Sequence, residues 1–280
     1  MELISSAQNP KVKRLQLLQQ KSQERRKSGL FVVEGRREVE RCVACGYQLD
    51  TVFYCPEIYG AYEPNEPHKS HESHEPHKTY ALTAPIYNKV AYRGGTEGII
   101  AEVVAREHTL DSLRLPERPL IVVMESVEKP GNLGAVLRSA DAAGADAVIV
   151  CDPLTDLYNP NLIRSSTGAF FSVPCVTCTS EQCIAFLQRR GIQILTAQLQ
   201  DSSLYSDTDM RRATAIVMGT ESTGLTGRWR QAADAHIRIP MLGIADSLNV
   251  SVSAAILLFE AVRQRQTSAI DEVSGTTLIL

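Results

Sequence analysis

The sequence predicts an α/β protein of two domains, in which a smaller α/β domain precedes a larger one with a mostly parallel sheet. A chain of 280 residues is long enough for this arrangement. Short apolar runs of strand length alternate with helical segments along most of the chain, as βαβ units require. Near the end, residues 239–249 form a polar loop and residues 250–262 an almost uniformly apolar helix, which predicts burial. A loop that enters a helix N-terminus is a good place to hold the polar atoms of a ligand.

The composition is that of an ordinary globular protein, with 44% hydrophobic and 22% charged residues and a formal net charge of −3. No segment approaches the roughly 18 consecutive apolar residues of a membrane span, and the first residues lack the features of a secretory signal. The seven cysteines are scattered, which does not indicate a disulfide framework. We therefore expect a cytoplasmic protein that does not contact a membrane.

The first 29 residues carry seven basic and only two acidic side chains, although the whole chain is slightly acidic. Asn9 can cap a helix that has Pro10 at its first position, so residues 9–27 are predicted to be helical. Such a charge run is either a solvated helix face or a contact with a nucleic-acid phosphate backbone, and both interpretations stay open. The residues selected for this contact are Lys11, Arg14, Arg25 and Arg26.

A strand at residues 30–35, a helix at 36–45 and a second strand at 51–55 complete the start of the first domain, which is assigned to residues 1–105. Within it, residues 63–78 are rich in Pro and His and are predicted to form a mobile loop. The histidines recur every three residues, but the prolines prevent a regular helix that would align them. Only adventitious metal binding is expected there.

Two pairs with CxxC spacing, Cys42–Cys45 and Cys175–Cys178, suggest a zinc site at first sight. They fall in different predicted domains, and buried cysteine most often acts as a small hydrophobic residue. No metal site is therefore predicted.

A linker at residues 106–118 leads into the second domain, assigned to residues 119–266. Its strand at 119–127, glycine turn and helix at 131–145, and strand at 146–152 form a βαβ unit. A glycine turn after a strand also suggests a dinucleotide site, but the spacing is not GxGxxG. The polar residues Asn132 and Arg138 indicate another ligand, although Arg138 could instead form a surface ion pair with Asp141.

Further strands are predicted at residues 192–198, 214–219 and 236–240. A glycine-rich loop at 219–227 carries one acid, Glu221. Three polar residues, Asp246, Ser247 and Asn249, precede the apolar helix, whereas a helix cap needs only one of them. The tail, residues 267–280, is predicted to be frayed.

Three segments, KPGNLGAVLRSADAAGA (129–145), GTESTGLTG (219–227) and IPMLGIADSLNVSVSAAI (239–256), resemble in order the motifs of the SpoU/TrmH family of RNA ribose 2'-O-methyltransferases, in the SPOUT superfamily. The segment GLFVVEGRREVE (29–40) resembles the L30e-like substrate-binding domain that often precedes them. Two positions depart from the family pattern: Lys129 replaces an acidic residue, and Thr220 stands where Asn or Ser is commoner.

The resemblance implies a SPOUT domain with a deep trefoil knot, S-adenosylmethionine as the methyl donor, and structured RNA as the substrate, with rRNA preferred over tRNA. It also implies a homodimer whose subunits complete each other's sites. Arg138 would hold the target phosphate and stabilise the developing alkoxide, oriented together with the ribose and cofactor by Asn132, Glu221, Ser247 and Asn249. The implied cofactor-binding residues are Thr196, Gly219, Gly224, Ile239, Met241 and Leu248.

Two other functions remain open from the sequence. The chain could be a non-catalytic RNA-binding protein with a decayed transferase domain, or an α/β enzyme that binds a nicotinamide dinucleotide.

Overall fold

The computed structural model describes residues 2–60, 77–92, 97–220 and 223–274, with 267–274 described as backbone only. The chain divides into two compact units. The N-terminal unit comprises Met1–Arg106 and Asp156–Ser172, and the C-terminal unit comprises Glu107–Thr155 and Val173–Leu280. None of the described helices is long and apolar enough to cross a membrane. The predicted His-rich loop falls mainly in 61–76, which lies outside the described residues.

The strands are β1 (Glu2–Ile4), β2 (Leu30–Glu34), β3 (Leu49–Tyr54), β4 (Lys78–Leu82), β5 (Ile99–Val104), β6 (Leu120–Glu125), β7 (Ala147–Cys151), β8 (Cys175–Cys178), β9 (Gln193–Ala197), β10 (Ser203–Leu204), β11 (Thr214–Met218) and β12 (Ala235–Arg238). The helices are α1 (Pro10–Gln20), α2 (Ser22–Ser28), α3 (Arg36–Ala44), α4 (Pro56–Tyr59), α5 (Ala84–Val90), α6 (Pro130–Ala142), α7 (Pro160–Ser165), α8 (Ala169–Ser172), α9 (Ser180–Arg189), α10 (Gly227–Ala232) and α11 (Val250–Ser274).

The N-terminal unit is built on a mixed sheet with the strand order β1-β4-β3-β5-β2. Strand β5 is antiparallel to both of its neighbours, and the other pairings are parallel. The apolar stripe Val12, Leu15 and Leu18 of α1 is completely buried, as its spacing predicts.

The helix predicted over residues 9–27 is instead two helices, α1 and α2, because Lys21 between them is extended. The break turns the Arg25 guanidinium back onto the end of α1, where it donates to the carbonyl oxygen of Leu18 at 2.6 Å. A carbonyl in the last turn of a helix lacks a partner within the helix, so this contact satisfies it.

Helices α7 and α8 pack in the N-terminal unit, although the sequence assigns their segment to the interior of the second domain. Tyr158, Phe170 and Phe171 join Phe31 and Tyr47 in one aromatic cluster, with 4.5 Å between the ring centroids of Phe31 and Tyr158. The predicted domain limits thus place Asp156–Ser172 in the second domain, whereas this segment belongs to the N-terminal unit, where its aromatic residues pack.

The C-terminal unit holds a fully parallel sheet with the strand order β10-β12-β9-β11-β6-β7-β8. Every residue of β6, β7 and β11 is buried, which explains why these strands are continuous apolar runs. The predicted α/β architecture, with a smaller α/β unit before a larger parallel one, is confirmed.

Helix α11 begins at Val250 as predicted but continues to Ser274, into the tail that was expected to fray; residues 275–280 lie outside the described residues. Its apolar surface is only partly covered. Ala254, Leu257, Leu258 and Ala261 are buried, whereas Phe259 is 49% exposed. The predicted burial of this helix is therefore only partial for this chain on its own, because one side of α11 packs on α6 and β11 and the other side is exposed.

Candidate active site

The carboxyl ends of β6, β9, β11 and β12 lead into the loops that carry the predicted site residues, at the edge where open α/β sheets bind ligands. Asn132 lies in the first turn of α6, which begins at Pro130. Asn249 lies just before α11. The packing of α11 on α6 brings the two together, and Asn249 Nδ2 donates to Asn132 Oδ1 at 3.3 Å.

Asn249 also caps α11. Its Oδ1 accepts hydrogen bonds from the Ser251 backbone amide at 3.0 Å and from the Ser251 hydroxyl at 2.6 Å. One amide side chain therefore satisfies the helix start with its oxygen and reaches Asn132 with its nitrogen. The capping and site interpretations of Asn249 are both supported by this geometry.

Asn132 opens onto a cavity that we call the asparagine pocket. Gly219 and Thr220 form one wall, and the turn before α6 forms another. Its lining residues are Met124, Val127, Glu128, Lys129, Asn132, Gly219, Thr220 and Val250. Lys129 and Thr220, the two departures from the family pattern, are thus both wall residues of this pocket.

The glycine-rich loop after β11 folds back on itself at Gly219. A Cβ atom on this residue would lie 2.3 Å from the backbone carbonyl of Gly224, so only glycine fits. Gly224 has φ +69°, a left-handed conformation, and exchanges two backbone hydrogen bonds with Thr220. Glu221, the acid predicted to act in the site, lies outside the described residues.

A buried carboxylate that the sequence reasoning missed anchors the far end of this loop. Glu125, at the end of β6, is 2% exposed and accepts hydrogen bonds from the Thr226 amide at 2.9 Å and the Thr226 hydroxyl at 2.8 Å. The Ser180 hydroxyl lies 3.2 Å from the same carboxylate and also accepts from the indole of Trp229. The acid at the carboxyl end of an otherwise apolar strand was the available sequence signal.

A second cavity in the C-terminal unit, which we call the cofactor cavity, lies between the end of β9 and the loop before α11. Three of the predicted cofactor residues, Ile239, Met241 and Leu248, line it. Its remaining lining residues are Ala197, Gln198, Leu199, Ile237, Arg238, Ser247 and Ser253. Ser247, predicted among the residues around the reacting groups, therefore faces this cavity.

Gln198 was missed by the sequence reasoning, and its side-chain oxygen is buried without a hydrogen-bond partner among the described residues. Its position directly after β9 was the signal for it. The other three predicted cofactor residues, Thr196, Gly219 and Gly224, lie outside this lining. Gly219 faces the asparagine pocket, and Thr196 is fully buried, with its hydroxyl 2.6 Å from His236 Nδ1.

Arg138 lies on the exposed surface of α6. It forms no ion pair or hydrogen bond within the described part of the chain, so the alternative pairing with Asp141 is absent there. A guanidinium without a protein partner is able to bind a phosphate with both arms.

Most of the cations of the N-terminal unit that were predicted to contact RNA form ion pairs with acidic side chains. Lys11 pairs with Glu2 at 2.8 Å, and Arg25 is 4% exposed and pairs with Asp156 at 2.6 Å. Arg14 bridges two acids, Glu102 at 2.7 Å and Asp50 at 2.8 Å. Arg26 alone of the four is exposed and has no partner among the described residues. This geometry argues against phosphate binding by Arg25 and Arg14.

Comparison with known proteins identifies the family to which this chain belongs. Residues 119–259 match the SpoU rRNA Methylase family, and residues 9–101 match the MRM3-like substrate binding domain. The chain belongs to the SpoU rRNA methylase family. This membership decides against the interpretation of the glycine turn as a nicotinamide-binding site.

Relatives in the SpoU family cover nearly the whole chain. The 23S rRNA (guanosine(2553)-2'-O)-methyltransferase RlmP of Bacillus subtilis is 30% identical over 92% of this chain and 98% of its own length. The 23S rRNA (uridine(2479)-2'-O)-methyltransferase of Streptomyces viridochromogenes is 30% identical over 93% and 92%. The AdoMet-bound rRNA methyltransferase from Sinorhizobium meliloti has a TM-score of 0.83 at 28% identity and covers 94% of this chain and 97% of its own.

Proposed function

We propose that this chain transfers a methyl group from S-adenosylmethionine to a ribose 2'-hydroxyl of ribosomal RNA. The observation that carries the proposal is the contact between Asn132 and Asn249 beside the Gly219 loop. Residues from two distant motifs meet there, at the carboxyl edge of a parallel sheet. Support comes from relatives named as 23S rRNA 2'-O-methyltransferases and from solved relatives bound to AdoMet.

The cofactor cavity suits an adenosine group. Ile239, Met241 and Leu248 offer apolar cover and backbone polar groups, which is how ligand pockets commonly combine affinity with orientation. The unpaired side-chain oxygen of Gln198 offers an acceptor for an amino group. When bound, S-adenosylmethionine supplies the electrophilic methyl group.

The residues of this chain then have two tasks, to align the ribose hydroxyl with the methyl group and to stabilise the oxygen as its proton leaves. We assign Arg138 to the phosphate of the target nucleotide and to the developing alkoxide, because a guanidinium remains protonated and cannot serve as a base. Asn132 and Asn249 fix the ribose, and Ser247 orients the cofactor. Glu221 is proposed to orient Arg138.

The N-terminal unit is proposed to bind the RNA substrate. Its exposed cations on α1, α2 and the break between them have no acidic partner among the described residues, and they would neutralise phosphates. These residues are Lys13, Lys21, Arg26 and Lys27. We favour rRNA over tRNA because the nearly full-length relatives are named for 23S rRNA.

We also propose that the chain functions as a homodimer in the cytoplasm. The loop between β12 and α11 exposes Leu242 (97%) and Ile244 (103%), and α11 exposes Val252 (47%) and Phe259 (49%). Apolar surface of this kind next to a site is typical of a protein interface. Sedimentation of the purified protein tests this, and a monomer at micromolar concentration would contradict it.

Mapping of 2'-O-methyl groups in rRNA and tRNA from a strain that lacks this gene tests the function. The proposal predicts that one rRNA position loses its methyl group and regains it when the wild-type gene is restored. An unchanged methylation pattern, with RNA binding by the purified protein intact, would favour the non-catalytic RNA-binding alternative.

A further inference from the structure

Three cysteines, one on each of two neighbouring strands and one on the helix that follows them, meet near the outer edge of the parallel sheet. Cys151 ends β7 and Cys178 ends β8, and the register of these parallel strands pairs the two residues directly. Cys183 lies on the buried face of α9, which follows β8. We call these three residues the cysteine cluster. It lies at the carboxyl edge of the sheet, the edge that also carries the active-site loops.

The distances suit one metal ion. The Sγ atoms of Cys151 and Cys178 are 3.9 Å apart, and all three Sγ atoms lie within 4.8 Å of one another. Four sulfurs around a tetrahedral zinc ion, at about 2.3 Å each, are separated by about 3.8 Å. The observed pair already has this spacing, and a small side-chain movement would bring the third sulfur to it.

The cysteine cluster is also accessible from one side. Cys151 and Cys183 are fully buried, whereas Cys178 is half-buried and lines a surface cavity together with Thr177, Gln182 and Arg189. Two of the three ligands are thus closed off from solvent, and the third borders the cavity. The cavity gives an ion a path to the sulfurs and leaves room for a water molecule as the fourth ligand.

We propose that Cys151, Cys178 and Cys183 bind a thiophilic metal ion of the zinc class through their three thiolate sulfurs, with water from the cavity as the fourth ligand. Soft thiolate ligands select such ions over Mg²⁺ or Ca²⁺. Binding releases the thiol protons to solvent and leaves the oxidation state of sulfur unchanged. This site differs from the two CxxC pairs, since it takes Cys178 from one pair and neither residue from the other.

The acidity of Cys178 agrees with this geometry. Hydrogen bonds from the neighbouring thiols of Cys151 and Cys183 lower the pKa of Cys178, and burial and the nearby Asp152 carboxylate only partly oppose them. Hydrogen bonds to Cys178 together with burial raise the pKa of Cys151 and Cys183, so Cys178 is the sulfur of the cluster that gives up its proton readily, and a bound metal ion has to displace the protons of the other two.

The test uses tag-free, full-length protein, reduced and stripped with a chelator, and titrated with Zn²⁺ or Cd²⁺ under anaerobic conditions. Cd²⁺ reports sulfur ligation through thiolate-to-metal charge-transfer absorbance, which the imidazoles of the His-rich segment do not produce. We expect one equivalent of bound ion with this absorbance and a higher melting temperature. A variant in which the histidines of 63–78 are replaced by Ala should behave in the same way.

Two cluster variants and one control make the result decisive. Cys178→Ser and Cys183→Ala should each show weaker absorbance, because one thiolate ligand is lost, and at least a tenfold loss of Zn²⁺ affinity. Cys175→Ala, a buried cysteine outside the cluster, should retain both. Unchanged binding by both cluster variants would overturn the proposal. So would a Cys151–Cys178 disulfide, found by mass spectrometry, in protein purified without added oxidant.

Discussion

Glu102 is a buried acid of the N-terminal unit whose ionisation should lower the stability of that unit. Its side chain is 1% exposed, and one carboxylate oxygen has no hydrogen-bond partner among the described residues. The other lies 2.7 Å from the guanidinium of Arg14. Burial raises the pKa of Glu102 to about 7, more than the attraction of Arg14 lowers it.

The difference between the pKa values of Glu102 in the folded and unfolded states determines how the unfolding free energy changes with pH. Because the folded pKa lies above the ordinary value of 4.5, the folded state binds the proton more tightly. The resulting stabilisation is complete below about pH 4.5 and is lost as the pH rises to about 7. The difference between the two pKa values corresponds to about 3 kcal/mol of unfolding free energy. Glu102→Gln, which cannot ionise, should abolish this part of the pH dependence.

Hydrogen exchange of the β5 amides, followed by mass spectrometry between pH 5 and 8, measures opening of the N-terminal unit. Corrected for intrinsic exchange rates, the wild type should lose about 2.5 kcal/mol of protection relative to Glu102→Gln between pH 5 and 8, because a small part of the stabilisation is already lost at pH 5. Glu40→Gln, an exposed acid in the same unit, is the matched control and should follow the wild type. Identical pH profiles for the wild type and Glu102→Gln would refute this account of Glu102.

Three further predictions concern the site and the RNA surface. Arg138→Ala should lower single-turnover methyl transfer by about 10²-fold or more, with little change in cofactor affinity. Arg138→Lys should restore transfer only partly, because Lys lacks the planar guanidinium group. Near-normal transfer by the Ala variant would contradict the proposed role of Arg138. Gly219→Ala should lower single-turnover methyl transfer at least tenfold, because its Cβ would meet the Gly224 backbone at 2.3 Å and displace a wall of the asparagine pocket. Gly227→Ala, whose Cβ would meet nothing within 4 Å, should transfer the methyl group normally. Equal rates for the two variants would show that the shape of this loop is unimportant. Replacement of the four exposed cations by Gln should flatten the slope of log affinity against log salt by about 3.6 for duplex-like RNA, because each lost phosphate contact contributes about 0.9. A control that replaces Lys11 alone, which is paired with Glu2, should change the slope little. A large change for Lys11 and none for the four exposed cations would show that these cations do not contact the RNA. The four exposed cations are Lys13, Lys21, Arg26 and Lys27.

Local sequence patterns predicted the parts of the fold that depend on local chemistry. Strands β6, β7 and β11 could be recognised because burial on both faces requires continuous apolar residues. The site loops could be located because glycine, proline and polar residues interrupt the apolar pattern at the strand ends. The meeting of Asn132 with Asn249 was implied only by the family resemblance.

The features that were missed depend on partners distant in sequence. Arg25 looked like an RNA ligand because its local sequence is basic, but its partner Asp156 is 131 residues away. The packing of α7 and α8 with the N-terminal unit likewise depends on aromatic contacts to Phe31 that no local period encodes. The cysteine cluster depends on strand register, which is set by the whole sheet.

Methyl transfer in a purified system tests the central claim most directly. The protein is incubated with methyl-labelled S-adenosylmethionine and either 23S rRNA or tRNA from the deletion strain, and the label is mapped to a nucleotide and to the ribose oxygen. We predict one labelled 2'-oxygen in 23S rRNA, no label in tRNA, and loss of the label with Arg138→Ala. Label on a base, or no transfer to rRNA by protein that binds the cofactor, would contradict the proposed reaction.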